Sequence, residues 1–186
     1  MKNFLEIISN EILKRNPNLT KGFFPARIDS EGRVLIQSES NSNEFVYSGI
    51  KDNESNYFYI RHRDSGKIRF EESVNTKRAV AFQSYFHVVY EFRVVVVQKN
   101  VDSYALEELT RSSLVGAQLN NCRGIMNPDV KLRESTIDSI TVLKEESNKA
   151  KTFDKNFIFV AIDFDLEFDQ DQNIIDFCNN PCQSIC

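Results

Sequence analysis

Residues 157–168 are apolar at every second position, and acidic residues alternate with them from residue 162 onward. The apolar positions are Ile158, Val160, Ile162, Phe164, Leu166 and Phe168. Asp163, Asp165 and Glu167 fall between them. Because successive side chains of a β-strand point to opposite faces of the sheet, the pattern predicts a long strand with one buried face and one acidic face. We expect the acidic face to meet water or a polar lumen.

Two segments have the spacing of amphipathic helices. Residues 2–15 place apolar side chains three or four positions apart, and an Asn-Pro-Asn sequence at 16–18 ends the pattern because proline cannot continue a helix. The second helix is predicted to begin after Asp102 or Ser103, which can accept hydrogen bonds from its first turn, and to end near residue 118. We expect the apolar side of each helix to pack on the sheet.

Further strands are predicted along the chain. Residues 33–37 form a short apolar run, and residues 79–98 form a long one. The β-branched residues within 92–97 are typical of a strand covered on both faces, which predicts a central position in the sheet. Residues 135–143 are predicted to be a strand, and residues 144–156 a charged loop.

An aromatic-rich region is predicted to form an inserted arm. Residues 44–50 and 56–63 are separated by a polar segment and have the composition of a β-hairpin, and residues 67–70 form another short extended piece. We place the arm at about residues 38–75. Its interleaved aromatic and basic residues would suit a nucleic-acid surface, a solvated hairpin or a subunit interface. The arm or interface candidates are Tyr57, Tyr59, Arg61 and Arg63.

The length of 186 residues suits one well-buried domain. We expect a single α+β domain over residues 1–170, with a mainly antiparallel or mixed sheet packed by the N-terminal and central helices. Residues 171–186 are expected to form an acidic, cysteine-containing tail. The net charge of −4 argues against a protein whose main task is to bind nucleic-acid phosphates. With no signal-peptide pattern and no long apolar segment, we expect a soluble protein without a membrane partner.

Three cysteines recur every fourth residue in this tail: Cys178, Cys182 and Cys186. They are weak candidates for a metal site, because zinc sites usually combine two cysteine pairs and a second pair is missing. Free thiols are the preferred interpretation, and disulfides between subunits are a third one in an oxidising setting.

The acidic residues near the C-terminus invite two metal hypotheses. Alternate residues on one strand face lie roughly 6 to 7 Å apart, so the acids at 163–167 are too widely spaced to share one cation unaided. Asp129 with later acids suggests a metal-dependent nuclease, but the Glu-x-Lys sequence expected of such an enzyme is missing. We therefore favour a solvated or lumen-facing acidic surface, and predict neither catalysis nor a cofactor.

The order of these elements resembles the small tail-terminator and head-to-tail joining proteins of tailed bacteriophages. The resemblance covers roughly residues 80–170 and rests on the N-terminal helix, the strand at 90–97, the helix after Asp102, the strand around 137–143 and the closing strand. The sequence Ile162-Asp163-Phe164-Asp165-Leu166-Glu167-Phe168 is similar to the closing strand of that family.

The resemblance implies a non-enzymatic virion component made in the host cytoplasm and placed at the head–tail junction or the tail. Copies of the chain would form a ring that contacts connector, tail-tube or other neck proteins. Double-stranded DNA would pass through the lumen without sequence-specific binding, and Asp163, Asp165 and Glu167 would face it. The alternatives left open are a metal-dependent nuclease and a small monomeric binding module.

Overall fold

The computed structural model describes residues 2–28, 34–37, 45–47, 56–63, 69–73, 85–120, 129–146 and 156–171. These residues form three helices and one eight-stranded mixed sheet, which confirms the predicted α+β class. In chain order the elements are α1 (Lys2–Arg15), β1 (Lys21–Ile28), β2 (Val34–Gln37), β3 (Phe45–Tyr47), β4 (Tyr57–His62), β5 (Arg69–Ser73), β6 (Tyr85–Lys99), α2 (Ser103–Asn120), β7 (Asp129–Thr136), α3 (Ser139–Glu146) and β8 (Phe157–Asp171).

Strand β6 is central, as its β-branched sequence predicted. The strand order is β3-β2-β1-β4-β6-β8-β7, and β5 also pairs with β6. The antiparallel ladder between β6 and β8 runs without a register shift over all 15 residues of each strand. On its other edge, β6 pairs with β4 along one half and with β5 along the other. The β6–β8 ladder is therefore the centre of the sheet, and β4, β5 and β7 pair with its outer edges.

The predicted hairpin between residues 44–50 and 56–63 is wrong. Strand β3 pairs with β2, whereas β4 lies between β1 and β6. The pairing of β1 with β4 is parallel, and its register shifts between Phe23 and Ala26, on either side of Pro25. Proline has no backbone N–H to donate, so it is tolerated at such an irregularity. The residues assigned to an arm therefore include a strand from the middle of the sheet.

One face of the sheet packs against α1 and α2. Its core includes Phe58 of β4, Phe92 of β6 and Phe164 of β8, which are all fully buried. Helix α1 contributes Phe4, Leu5, Ile8 and Ile12, and α2 contributes Leu106, Leu114 and Ala117. This arrangement confirms the predicted packing of both helices on the sheet. The apolar alternation in β8 places its aliphatic residues on this face.

The predicted strand at residues 135–143 is wrong in its second half. Strand β7 ends at Thr136, and the chain then forms α3. The Asp138 carboxylate accepts hydrogen bonds from the backbone N–H of Thr141 at 3.1 Å and of Ile140 at 3.4 Å, which caps the helix. Val142 of α3 is buried against the second face of the sheet. Helix α3 thus partly covers the face opposite α1 and α2.

Both predicted boundaries of α2 are close to those observed. Asn100 has a positive φ of 56° and turns the chain away from β6. The Asp102 carboxylate then accepts a hydrogen bond from the Ala105 N–H at 3.0 Å, so Asp102 is the N-cap of the helix.

Candidate functional site

A layer of charged side chains lies on the sheet face opposite α1 and α2. It occupies the half of that face beside the apolar patch beneath α3. Strands β4, β6, β7 and β8 contribute to it, and the end of α3 adds two carboxylates. We call the following side chains the charged layer: Arg61, Arg63, Glu91, Arg93, Lys131, Arg133, Glu145, Glu146, Asp163, Asp165 and Glu167.

Asp163 is buried inside the charged layer, with 1% of its surface exposed. Its two carboxylate oxygens accept hydrogen bonds from the Arg93 Nε at 2.6 Å and Nη2 at 3.0 Å. Arg63 adds a further ion pair to the same carboxylate at 3.1 Å. Charge-assisted, bidentate pairs of this kind are among the stronger polar contacts in proteins. Asp163 is therefore held by arginines of the same chain.

Asp165 is also buried, with 3% of its surface exposed. Both contacts from Arg133 reach the same oxygen, Oδ2, at 2.6 Å from Nε and 2.5 Å from Nη2. The other oxygen, Oδ1, is buried and has no hydrogen-bond partner among the described residues. Burial raises the pKa of Asp165, Arg133 lowers it in part, and the charges of Glu91 and Glu167 add to the rise.

The prediction that these acids form an exposed or lumen-facing surface is thus wrong for Asp163 and Asp165. Glu167 is partly buried and is paired with Lys131. The reason is that cations on the strands flanking β8 cover its acidic side: Arg93 of β6 and the pair Lys131 and Arg133 of β7. An isolated strand pattern does not reveal partners that lie on other strands.

Glu146 bridges two arginines that would otherwise repel each other. Arg61 of β4 and Arg93 of β6 are directly opposite in the sheet register, an unfavourable position for like charges. The Glu146 carboxylate accepts bonds from Arg61 Nε at 2.9 Å and Nη2 at 2.7 Å, and from Arg93 Nη1 at 3.1 Å. The Tyr59 hydroxyl donates a further bond at 2.9 Å. The end of α3 is thereby fastened to two strands.

These contacts shift the acid–base properties of the bridge. Burial alone would raise the pKa of Glu146, but the bonds from Arg61, Tyr59 and Arg93 outweigh it, and the pKa is lowered. Burial and then the negative charge of Glu146 raise the pKa of Tyr59 well above its ordinary value. Glu146 is therefore a carboxylate at neutral pH, and Tyr59 keeps its proton.

Tyr57 and Tyr59 were predicted to lie on an arm or at an interface, and this is wrong within the single chain. Each is 3% exposed and packs in the second hydrophobic cluster with Val142. Arg61 forms an ion pair with Glu146. Arg63 forms an ion pair with Asp163, and about one-third of its side chain is exposed. The aromatic-rich sequence that suggested a hairpin instead belongs to a central strand covered on both faces.

The metal hypotheses gain no support from the part of the chain that the structure describes. Within it, no group of three His, Cys, Asp or Glu side chains is arranged to hold a metal ion. The exposed Asp129 accepts a hydrogen bond from Gln118 at 3.0 Å. His62 lies against the ring of Phe92 at 4.6 Å, and burial lowers the pKa of His62. Cys178, Cys182 and Cys186 lie outside the described residues.

Sequence reasoning missed Arg93 and Glu146 as members of this site. A signal for Arg93 was present, because it interrupts the apolar run of β6 and a charge in a strand covered on both faces requires a buried partner. For Glu146 the signal was hidden, because residues 144–156 were predicted to form a loop.

No helix among the described residues is both long and apolar enough to span a lipid bilayer. The chain matches no protein-family model and no curated protein.

Proposed function

We propose that this chain is a non-enzymatic structural subunit that forms a ring at the head–tail junction or tail end of a tailed bacteriophage. Such a ring would contact connector, tail-tube or other neck proteins, and double-stranded DNA would pass through it without sequence-specific binding. The observation that supports this proposal most is the length of the β6–β8 ladder.

A ladder of 15 residues spans about 50 Å, whereas the longer packing helix, α2, has 18 residues and spans about 27 Å. The β6–β8 ladder is therefore about twice as long as α2. Extended strands offer neighbouring subunits both edges and faces for packing, and a head-to-tail interface of that kind closes into a ring when its rotation permits.

The charged layer has a structural role in this proposal. Its carboxylates pair with arginines of the same chain, so Asp163 and Asp165 are buried within the fold and are no longer candidates for a lumen surface. Arg63, which is about one-third exposed, is the remaining arm or interface candidate that a neighbouring subunit could reach.

The proposal is tested by the native mass of the protein, measured by light scattering after size-exclusion chromatography and supported by negative-stain imaging. We expect closed rings with a mass several times the 21.5 kDa of the chain. A monomer of 21.5 kDa, both alone and after mixing with purified connector and tail-tube proteins, would count against the ring and favour a monomeric binding module.

A further inference from the structure

The charged layer contains two pairs of like charges, each directly opposite across adjacent strands. In the first, Arg61 and Arg93 are bridged by Glu146. In the second, Glu91 of β6 is directly opposite Asp165 of β8. Cβ atoms in such positions lie about 4.5 to 5.5 Å apart, so the two carboxylates repel each other when both are charged.

Arg133 of β7 contacts both members of the acidic pair, but unequally. Its Nη2 lies 2.5 Å from Oδ2 of Asp165 and 3.8 Å from Oε1 of Glu91. The other oxygen of Asp165, Oδ1, is buried without a hydrogen-bond partner among the described residues. A buried carboxylate oxygen in that position is costly when charged, and protonation turns it into a hydrogen-bond donor.

Other charged side chains lie near Asp165 on the neighbouring strands and on α3. Most of them form ion pairs with residues other than Asp165. Arg63 and Arg93 bind Asp163, and Lys131 binds Glu167. The groups near the pair are Arg63 directly after β4, Arg93 of β6, Asp129, Lys131 and Arg133 of β7, Asp163 and Glu167 of β8, and Glu145 of α3. The charged groups on β8 itself are acidic, which adds to the repulsion within the pair.

We propose that Glu91 and Asp165 form a proton-binding site, in which one proton taken from solvent sits on Oδ1 of Asp165 and is donated to the Glu91 carboxylate. Sharing a proton removes the like-charge repulsion and gives the unpartnered oxygen a partner. When the proton leaves, Arg133 faces two charged carboxylates in place of one. The attachment of the edge strand β7 through Arg133 then varies with pH.

The direction of the pH effect follows from the environment of Asp165. Burial, with the charges of Glu91 and Glu167, raises the pKa of Asp165 in the folded protein above its ordinary value of 3.8. The native state therefore binds the proton more tightly than the unfolded chain does. The stability contributed by this site is present below pH 3.8 and is lost as pH rises through the folded pKa.

The test is a carbon-13 NMR titration of the side-chain carboxyl groups of the whole protein. We expect the Asp165 midpoint to lie above the ordinary aspartate range, and Glu91→Gln to lower it by removing the opposing charge. Glu134→Gln is the matched control, because Glu134 is an exposed acid on β7 and its replacement should leave the Asp165 midpoint unchanged.

A wild-type midpoint at or below the ordinary aspartate value would overturn the proposal, and this measurement does not depend on any variant folding. An Asp165 midpoint equally insensitive to Glu91→Gln and Glu134→Gln would also overturn it, because Glu91 would then not be the partner. Backbone amide spectra of both variants establish that the fold is intact before the titrations are compared.

Discussion

The two faces of β8 are buried by different kinds of contact. On the face toward α1 and α2, Ile162, Phe164 and Leu166 are fully buried among apolar side chains. On the opposite face, Asp163 and Asp165 are almost as completely buried, but their neighbours are arginines. A strand that reads as half buried and half exposed is therefore buried on both sides.

The two faces should tolerate different kinds of substitution. An apolar core responds mainly to volume and shape, and swaps that conserve volume cost little. A buried ion pair gains little over an apolar pair of the same size, but removing one partner leaves a charge that is buried and uncompensated. The apolar face should therefore tolerate substitutions that conserve volume, whereas the charged face should lose stability wherever a buried partner is removed.

The largest effect is expected on the apolar face. The ring of Phe164 stacks on Phe92 with centroids 5.6 Å apart, and both side chains are fully buried. Phe164→Ala should lower the free energy of unfolding by about 3 to 5 kcal/mol, measured by urea denaturation. Phe164→Leu keeps most of the volume and should cost much less. A small loss for the alanine variant would mean that this face is not tightly packed.

On the charged face, Glu146→Gln should cost about 3 kcal/mol, because it leaves Arg61 and Arg93 opposite each other without a charged bridge. Glu145→Gln is the matched control. The Glu145 side chain is 41% exposed and contacts Arg93 alone among the described arginines, so its loss should cost less than about 1 kcal/mol. Equal effects of the two variants would show that Glu146 has no special bridging role.

The same bridge predicts a pH dependence. Because the folded pKa of Glu146 is lowered from its ordinary value of 4.5, its contribution to stability is present above pH 4.5 and is lost as pH falls through the folded pKa. The stability difference between wild type and Glu146→Gln, from urea melts at several pH values, should shrink on acidification. A stability difference that stays constant from neutral to strongly acidic pH would show that the ionised form of Glu146 is not what stabilises the bridge.

A smaller effect is expected for substitutions of two closely packed glycines. A Cβ atom on Gly22 would collide with the ring of the fully buried Phe58, so Gly22→Ala should cost about 1 to 3 kcal/mol. On Gly116 of α2, a Cβ atom would lie 2.5 Å from Arg15 Nη2, the end of a flexible side chain that can move. Gly116→Ala should therefore cost less in the same denaturation assay. The reverse order would mean that the Phe58 ring can relax.

Much of the fold was predictable because it depends on local patterns. The apolar spacing predicted α1, a cap at Asp102 or Ser103 predicted the start of α2, and the β-branched run predicted a central β6. Helix α3 was missed because Ile140, Thr141 and Val142 are β-branched and favour a strand, whereas the decisive feature is the cap at Asp138.

Strand partners and the charged layer could not be predicted in the same way. The parallel neighbour of β4 is β1, whose paired residues lie more than 30 positions earlier in the chain. The aromatic sequence of β4 suits a hairpin equally well. The partners of Asp163 and Asp165 come from other strands, so only the sheet order brings Arg93 and Arg133 beside them. Alternation alone assigns two faces to a strand without showing what covers each one.

The most direct test of the charged layer is a double-mutant cycle between Arg93 and Asp163. Arg93→Gln, Asp163→Asn and the double variant are compared with wild type by urea denaturation. Their paired hydrogen bonds of 2.6 and 3.0 Å predict a coupling free energy of about 1 to 3 kcal/mol, with the double variant more stable than the two single losses would imply. Additive losses would contradict this pairing, because Asp163 would then not be a partner of Arg93 within the folded chain.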